Sequence, residues 1–158
     1  MFTHKILSKK DKENLLNYVK DNYGCNIDKI IDYNFYLNEN NNKVYICNFK
    51  VENLNLKNII NIGLYFGKFH DNNRFRLSFE ATRNLNIEKN YIMLKQSDNF
   101  LNKENLFKEE IESINSDGKC PFLVVKFENE NWGCVSKKDK YFVSYLPKSR
   151  KISHKKMF

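Results

Sequence analysis

Glycine is scarce in this chain: Gly24, Gly63, Gly67, Gly118 and Gly133 are the only five in 158 residues. They form neither a G-x-G-x-x-G nor a G-x-x-x-x-G-K-[ST] pattern, so no dinucleotide cradle or P-loop can be assembled. The same lack counts against a methyltransferase that holds a nucleoside cofactor. No G-x-S-x-G turn presents a nucleophilic serine. Histidine is as thin, with His4, His70 and His154 far apart in the chain. Isolated imidazoles give poor support to a metal site or a general base. The acidic pair Glu109-Glu110 is adjacent in sequence and reads as solvated. These absences predict a protein that is not an enzyme and carries no cofactor.

Cysteine is limited to Cys25, Cys47, Cys120 and Cys134, without a C-x-x-C pair to open a zinc site. Cys47 and Cys134 lie in apolar, strand-like surroundings, where a thiol behaves as a small core residue. All four are expected to be structural. No apolar run approaches the ~20 residues of a spanning helix. The segment Met1–Lys12 lacks the apolar stretch and small-residue cleavage site of a signal peptide. An intracellular protein with no membrane partner is the expectation.

What the chain does have is positive charge and aromatics. Lys and Arg number 27 against 19 acidic residues, giving +8 and a pI near 9.2. Such a surface attracts phosphates, anionic lipid or acidic protein, and composition does not choose among them. Apolar residues at 41%, with aromatics at 15%, suffice for a real core and exclude a wholly disordered chain. The length suits one compact domain or two small ones sharing an interface. The abundance of Asn, Lys and Ile reads as genomic base-composition bias.

Ser8 and Asp11 have the form of a capping box, followed by the apolar stripe Leu15, Leu16, Val19 and Tyr23. A helix from about Lys9 to Asn22, ended by Gly24, is expected. Asn34–Leu37 and Lys43–Phe49 read as strands around the Asn-rich turn Asn38–Asn42. Val51–Ile60 has helical spacing in Leu54, Leu56, Ile59 and Ile60. The strongest pattern is a hairpin. In Ile62–Phe69, residues Ile62, Leu64 and Phe66 fall on one face, and Gly63, Tyr65, Gly67 and Phe69 on the other. The turn His70–Asn73 leads into Arg74–Phe79, where Phe75, Leu77 and Phe79 alternate with Arg74, Arg76 and Ser78. The two arginines read either as a solvated outer face or as a basic patch.

A second unit begins near Glu88. Tyr91–Lys95 reads as a strand, Asp98–Lys103 as a short helical turn, and Leu106–Ile114 as a helix or a bent strand. Ser116-Asp117-Gly118-Lys119 marks a turn. Pro121–Phe127, Trp132–Ser136 and Tyr141–Leu146 read as strands, ended by Pro147. Four or five short strands in so little chain predict a small barrel. The tail from Lys148 to Lys156 reads as a basic arm able to add phosphate affinity.

The residues Gly63-Leu64-Tyr65-Phe66-Gly67-Lys68-Phe69 and Arg74-Phe75-Arg76-Leu77 resemble the G-x-x-F-G-K-F … F-R-L signature of the Nip-seven family of ribosome-biogenesis factors. Phe100-Leu101 and Leu106-Phe107-Lys108 are similar to that family's F-L … V-L-K segment. Pro121–Val125, Trp132-Gly133-Cys134-Val135 and Ser136-Lys137-Lys138 resemble its last strands and basic turn. The first helix and the hairpin at Asn34–Phe49 also suit its N-terminal domain. The resemblance implies an α+β fold: an N-terminal α+β domain at residues 1–87 for protein contacts, then a small PUA-like β-barrel at 88–158 that binds RNA.

It also implies a non-catalytic factor in pre-rRNA processing and large ribosomal subunit assembly. Its partners would be rRNA or pre-rRNA and proteins of the pre-ribosomal particle. The protein would be a monomer, cytoplasmic in an archaeon and nucleolar in a eukaryote. Lys140 matches a basic RNA-facing position of archaeal members, and Lys137 and Lys138 lie beside it. The expected RNA contacts are Lys137, Lys138, Lys140, Tyr141, Arg150 and Lys151, with Arg74 and Arg76 as a second patch.

The chain also departs from the family's pattern. Tyr141 stands where a second basic residue is expected, and Ser144 and Pro147 replace later ones. Asn102-Lys103-Glu104-Asn105 replaces a glycine-containing segment, and Glu109-Glu110 replaces S-G. Tyr141 reads as an ordinary strand aromatic or as a base-stacking residue. Two alternatives stay open: a protein–protein adaptor, motivated by the acidic residues, and an accessory domain for an RNA-modifying enzyme.

Overall fold

The computed structural model describes residues 4–48, 63–96, 100 and 105–147. The helix expected in Val51–Ile60, most of Asp98–Lys103, and the basic tail with Arg150 and Lys151 lie outside the described residues.

Among the described residues, two antiparallel-rich sheets with the helices Lys9–Tyr23 and Phe79–Asn84 make an α+β fold. The first sheet has the strand order β1-β2-β3-β4-β5, formed by β1 (His4–Ile6), β2 (Asn34–Asn38), β3 (Lys43–Cys47), β4 (Leu64–Phe69) and β5 (Phe75–Leu77). Helix α1 (Lys9–Tyr23) packs on it through Leu15, Leu16, Val19 and Tyr23, the expected stripe. Its start is set by Ser8, whose hydroxyl accepts the Asp11 N–H at 3.1 Å. Its end is set by Gly24 at φ +66°, a left-handed cap that donates to the Lys20 carbonyl at 2.8 Å.

The hairpin of β4 and β5 forms as expected, with a change of face. A bulge opposite Val44 and Tyr45 breaks the alternation of β4. Phe66 and Phe69 therefore both turn into the core, where they meet Phe75 at 5.7 and 4.9 Å between ring centroids. Tyr65 joins the opposite face, beside Tyr36, Tyr45 and Cys47. Gly67 is required here. A Cβ on it would fall 2.4 Å from both the Arg76 carbonyl oxygen and the Phe75 ring.

The strand expected through Phe79 stops at Leu77. Ser78 instead caps α2 (Phe79–Asn84), accepting the Ala81 N–H at 3.0 Å. A serine cap with Glu80 in the first turn is an ordinary helix start, masked in the sequence by the preceding alternation. Strand β1 leaves no signal in the sequence. Its three residues pair with β2 and are too few to carry a pattern of their own.

The second sheet has six strands, in the order β7-β11-β10-β9-β6-β8, and curls into a half-barrel. They are β6 (Tyr91–Leu94), β7 (Asn105–Phe107), β8 (Ile111–Asn115), β9 (Phe122–Phe127), β10 (Glu130–Lys137) and β11 (Tyr141–Ser144). The ambiguous stretch 106–114 resolves into two strands joined by a 3-10 turn at Lys108–Glu110. Strands β7 and β8 are the edges, and among the described residues no pairing joins them.

The two sheets share a core. Phe35, Phe66, Phe75 and Leu77 of the first cluster with Phe122, Val124 and Cys134 of the second. Hydrogen bonds stitch the same boundary. The Tyr23 hydroxyl donates to the Phe122 carbonyl at 2.9 Å, and the Gly133 N–H donates to the Thr82 hydroxyl at 2.9 Å. Asn131 Nδ2 donates to the Thr82 and Leu85 carbonyls at 2.8 and 2.9 Å. Each of these bonds satisfies a group that the packed boundary would otherwise strip of water.

Candidate nucleic-acid interface

Strands β10 and β11 are joined by a tight turn that closes with the Lys138 N–H donating to the Tyr141 carbonyl at 2.7 Å. Lys137, Lys138, Asp139 and Lys140 are all exposed on it. Lys137, Lys138, Asp139 and Tyr141 border one shallow depression of about 660 Å³. Four of the expected RNA contacts, Lys137, Lys138, Lys140 and Tyr141, are thus brought to one corner of the half-barrel. Arg150 and Lys151 lie outside the described residues.

An aromatic residue joins that corner unforeseen. Tyr141 pairs in register with Phe107 on the edge strand β7, with ring centroids 6.1 Å apart. One step along the ladder, Leu106 and Phe142 pair and are buried in the core. Side chains alternate along a strand, so Phe107 and Tyr141 point outward together. Phe107 is 43% exposed. The signal for it was only the expected bend at 106–114, which left the direction of each side chain open.

The arginine pair is split. Arg74 is exposed beside the 3-10 turn Asp71–Asn73, its Nε donating to the Asp71 carbonyl at 3.0 Å. Arg76 is half-buried between the sheets, with its guanidinium carbon 4.1 Å above the Tyr145 ring. That cation–π contact replaces the fully solvated outer face as the account of Arg76. Its Nε is buried without a hydrogen-bond partner and borders a cleft of about 210 Å³ lined also by Tyr65, Ser78, Glu80 and Tyr145. Tyr145 stands four residues beyond Tyr141, roughly 13 Å along an extended chain. The arginines and the lysine turn are therefore separate places.

The cysteines, His4 and His70 sit in packed surroundings. All four cysteines are buried thiols, and burial pushes Cys25 and Cys134 up to about 12. Thiolates, the nucleophilic and metal-binding form, are thereby disfavoured. Among the described residues no group of His, Cys, Asp and Glu could hold a metal ion. The His70 ring packs 4.8 Å from Phe122, and burial lowers its pKa, with Arg76, Lys68 and Arg74 adding to the effect. His4 lies against Tyr45, its pKa also lowered by burial. Glu110 is partly occupied, accepting the Phe107 N–H at 2.9 Å. Among the described residues no helix is long and apolar enough to cross a membrane.

The described residues make an α+β protein with a shared core and one corner that gathers exposed lysines with Phe107 and Tyr141. Residues 4–79 match the family described as NIP7/UPF0113, pre-PUA domain, a span running from β1 to the first residue of α2. Residues 4–79 are thus similar to the pre-PUA domain of the NIP7/UPF0113 family. No curated protein matches the chain.

Proposed function

We propose that the protein is a non-catalytic RNA-binding factor of ribosome biogenesis that acts in pre-rRNA processing and large-subunit assembly. Residues 1–87 would make the protein contacts. Residues 88–158 would form a PUA-like half that holds RNA. The observation that carries the reading is the family match over residues 4–79, which suggests an RNA-associated role in ribosome biogenesis. The half-barrel and its lysine turn support it, since exposed lysines at a strand–turn corner suit phosphate contacts. Lys137, Lys138 and Lys140 would neutralise phosphates, joined by Arg150 and Lys151 of the tail. Arg74 would be a second contact, and Arg76 would act from its stacked position on Tyr145.

Reversing two charges tests it. Lys138→Glu with Lys140→Glu is expected to weaken binding to U-rich single strands and rRNA fragments in a filter assay. The slope of log K against log salt should become shallower by about 1 to 2. Affinity and slope equal to those of the parent protein would remove this surface from the account.

One observation favours a second reading. Asp139, Glu109 and Glu110 lie in sequence beside the cations Lys108, Lys137, Lys138 and Lys140, so the corner carries a net charge of only one. A protein adaptor whose RNA role has lapsed would bind no RNA at low salt, yet co-sediment with pre-ribosomal proteins after nuclease treatment.

A further inference from the structure

Few large apolar side chains are exposed among the described residues: Ile6, Ile31, Phe107 and Ile114. Phe107 is the one aromatic among them. The part of a phenyl ring left in water gains nothing for the fold, and a ligand that covers it recovers the hydrophobic term. Three further observations narrow what that ligand is.

The edge of β7 is unsuited to adding a strand. Its Phe107 N–H, which an incoming peptide would use, already donates to the Glu110 carboxylate at 2.9 Å. The surroundings do not suit an apolar protein patch either. Phe107 is flanked by exposed Asn105, Lys108 and Glu109, and faces a turn bearing Lys137, Lys138 and Lys140. Lysine is depleted from the buried centres of protein interfaces. The near-cancelled charge of the corner means that phosphate attraction alone supplies only a small part of any affinity. What remains on offer is the pair of ring faces, inclined 49° to each other across adjacent strands.

We propose that Phe107 and Tyr141 form a base-stacking platform that takes the faces of unpaired bases, so that this corner selects single-stranded RNA over duplex. The inference rests on the RNA-binding reading above and adds to it the part of the RNA that is recognised. Bases in an A-form duplex are stacked on their neighbours and hide their faces, whereas those of a single strand can be splayed out onto a ring. Rings set at 49° cannot hold two bases that stay stacked on one another. The platform therefore separates consecutive bases or grips one base from two sides. The adjacent lysines hold the sugar–phosphate chain that leads to them.

Binding by fluorescence anisotropy separates the contributions. The probes are a short single-stranded RNA, the same sequence as a duplex, and an abasic ribose-phosphate strand of equal length. The parent protein is expected to bind the single strand best. Phe107→Ala should lose roughly five- to 150-fold on it, with an unchanged salt slope and no loss on the abasic strand. Phe107→Trp should retain or tighten binding. The ring is 43% exposed and makes one cross-strand ring contact, so Phe107→Ala should lower the melting temperature only slightly, and a transition that stays cooperative is the check on folding.

Equal binding of all three probes by the parent protein would overturn the platform. So would a Phe107→Ala protein that binds the single strand as well as the parent does. If that happens while Lys138→Glu with Lys140→Glu still lowers affinity, RNA binding stands without base stacking, and Phe107 covers some other surface. No binding of any probe at low salt would overturn the platform and the RNA-binding reading together.

Discussion

Phe75→Ala is expected to cost about 3–5 kcal/mol, the range for emptying a packed aromatic site. Phe75 is fully buried and packs against Phe66 and Phe69, and its ring lies where a Gly67 side chain would otherwise be. The loss is a large share of the ~5–15 kcal/mol that holds a domain together. For a chain of this size it should lower the melting temperature by on the order of 10 °C. The more informative expectation concerns cooperativity. Because Phe75 shares a core with Phe122, Val124 and Cys134 of the second sheet, both sheets should melt together. Trp132, the only tryptophan, reports on the second sheet. Its fluorescence should shift by the same amount as the far-ultraviolet circular dichroism. Two separate transitions, with only the first moved by Phe75→Ala, would contradict a shared core.

Asn90→Ala is expected to cost about 2–4 kcal/mol, although it removes only a small side chain. Asn90 is fully buried, in the left-handed region at φ +54°. Its amide donates to the Asn22 carbonyl at the end of α1 and to Asp117 Oδ2, while its Oδ1 accepts the Asp117 N–H at 3.0 Å. The Asp117 carboxylate in turn accepts the Lys119 and Cys120 N–H groups at 2.8 and 3.0 Å, which lowers its pKa. One residue thus ties the first helix, the entry to β6 and the turn before β9. Alanine strands the half-buried Asn22 carbonyl, at about 1–3 kcal/mol, whereas the N–H of the exposed Asp117 can turn to water. The substitution also adds about 1 kcal/mol for the backbone conformation. Asn90→Gly should recover that last part only. Urea titration of the three proteins measures it, and equal stability of the Ala and Gly variants would remove the backbone contribution.

The legible parts of the fold were those with local chemistry. The cap at Ser8, the stripe of α1 and the stop at Gly24 each state their structure within a few residues. The hairpins of β2 with β3 and of β4 with β5 were also plain. What was missed depends on distant neighbours. Phe69 reads as facing away from Phe66 by alternation, and only the bulge against β3 turns it inward. Helix α2 is too short to show a period, and Phe79 extends the pattern of β5 by chance.

The lysine turn could be found from its residues, because a charged stretch between two strands has few places to go. Phe107 could not. Its direction is fixed by its register with Tyr141, which no local pattern encodes. Arg76 was equally opaque. Its stacking partner Tyr145 is distant in sequence, and the half-buried position between the sheets follows from tertiary packing alone.

The central claim is that RNA is held at the corner made by the turn of β10 and β11. Ultraviolet crosslinking of the protein to RNA in extract of its own cells, with mass spectrometry of the adducts, tests it most directly. The account predicts nucleotide-bearing peptides spanning residues 105–110 and 137–141, joined to ribosomal precursor RNA. Adducts confined to residues 4–79, or no RNA at all, would contradict it.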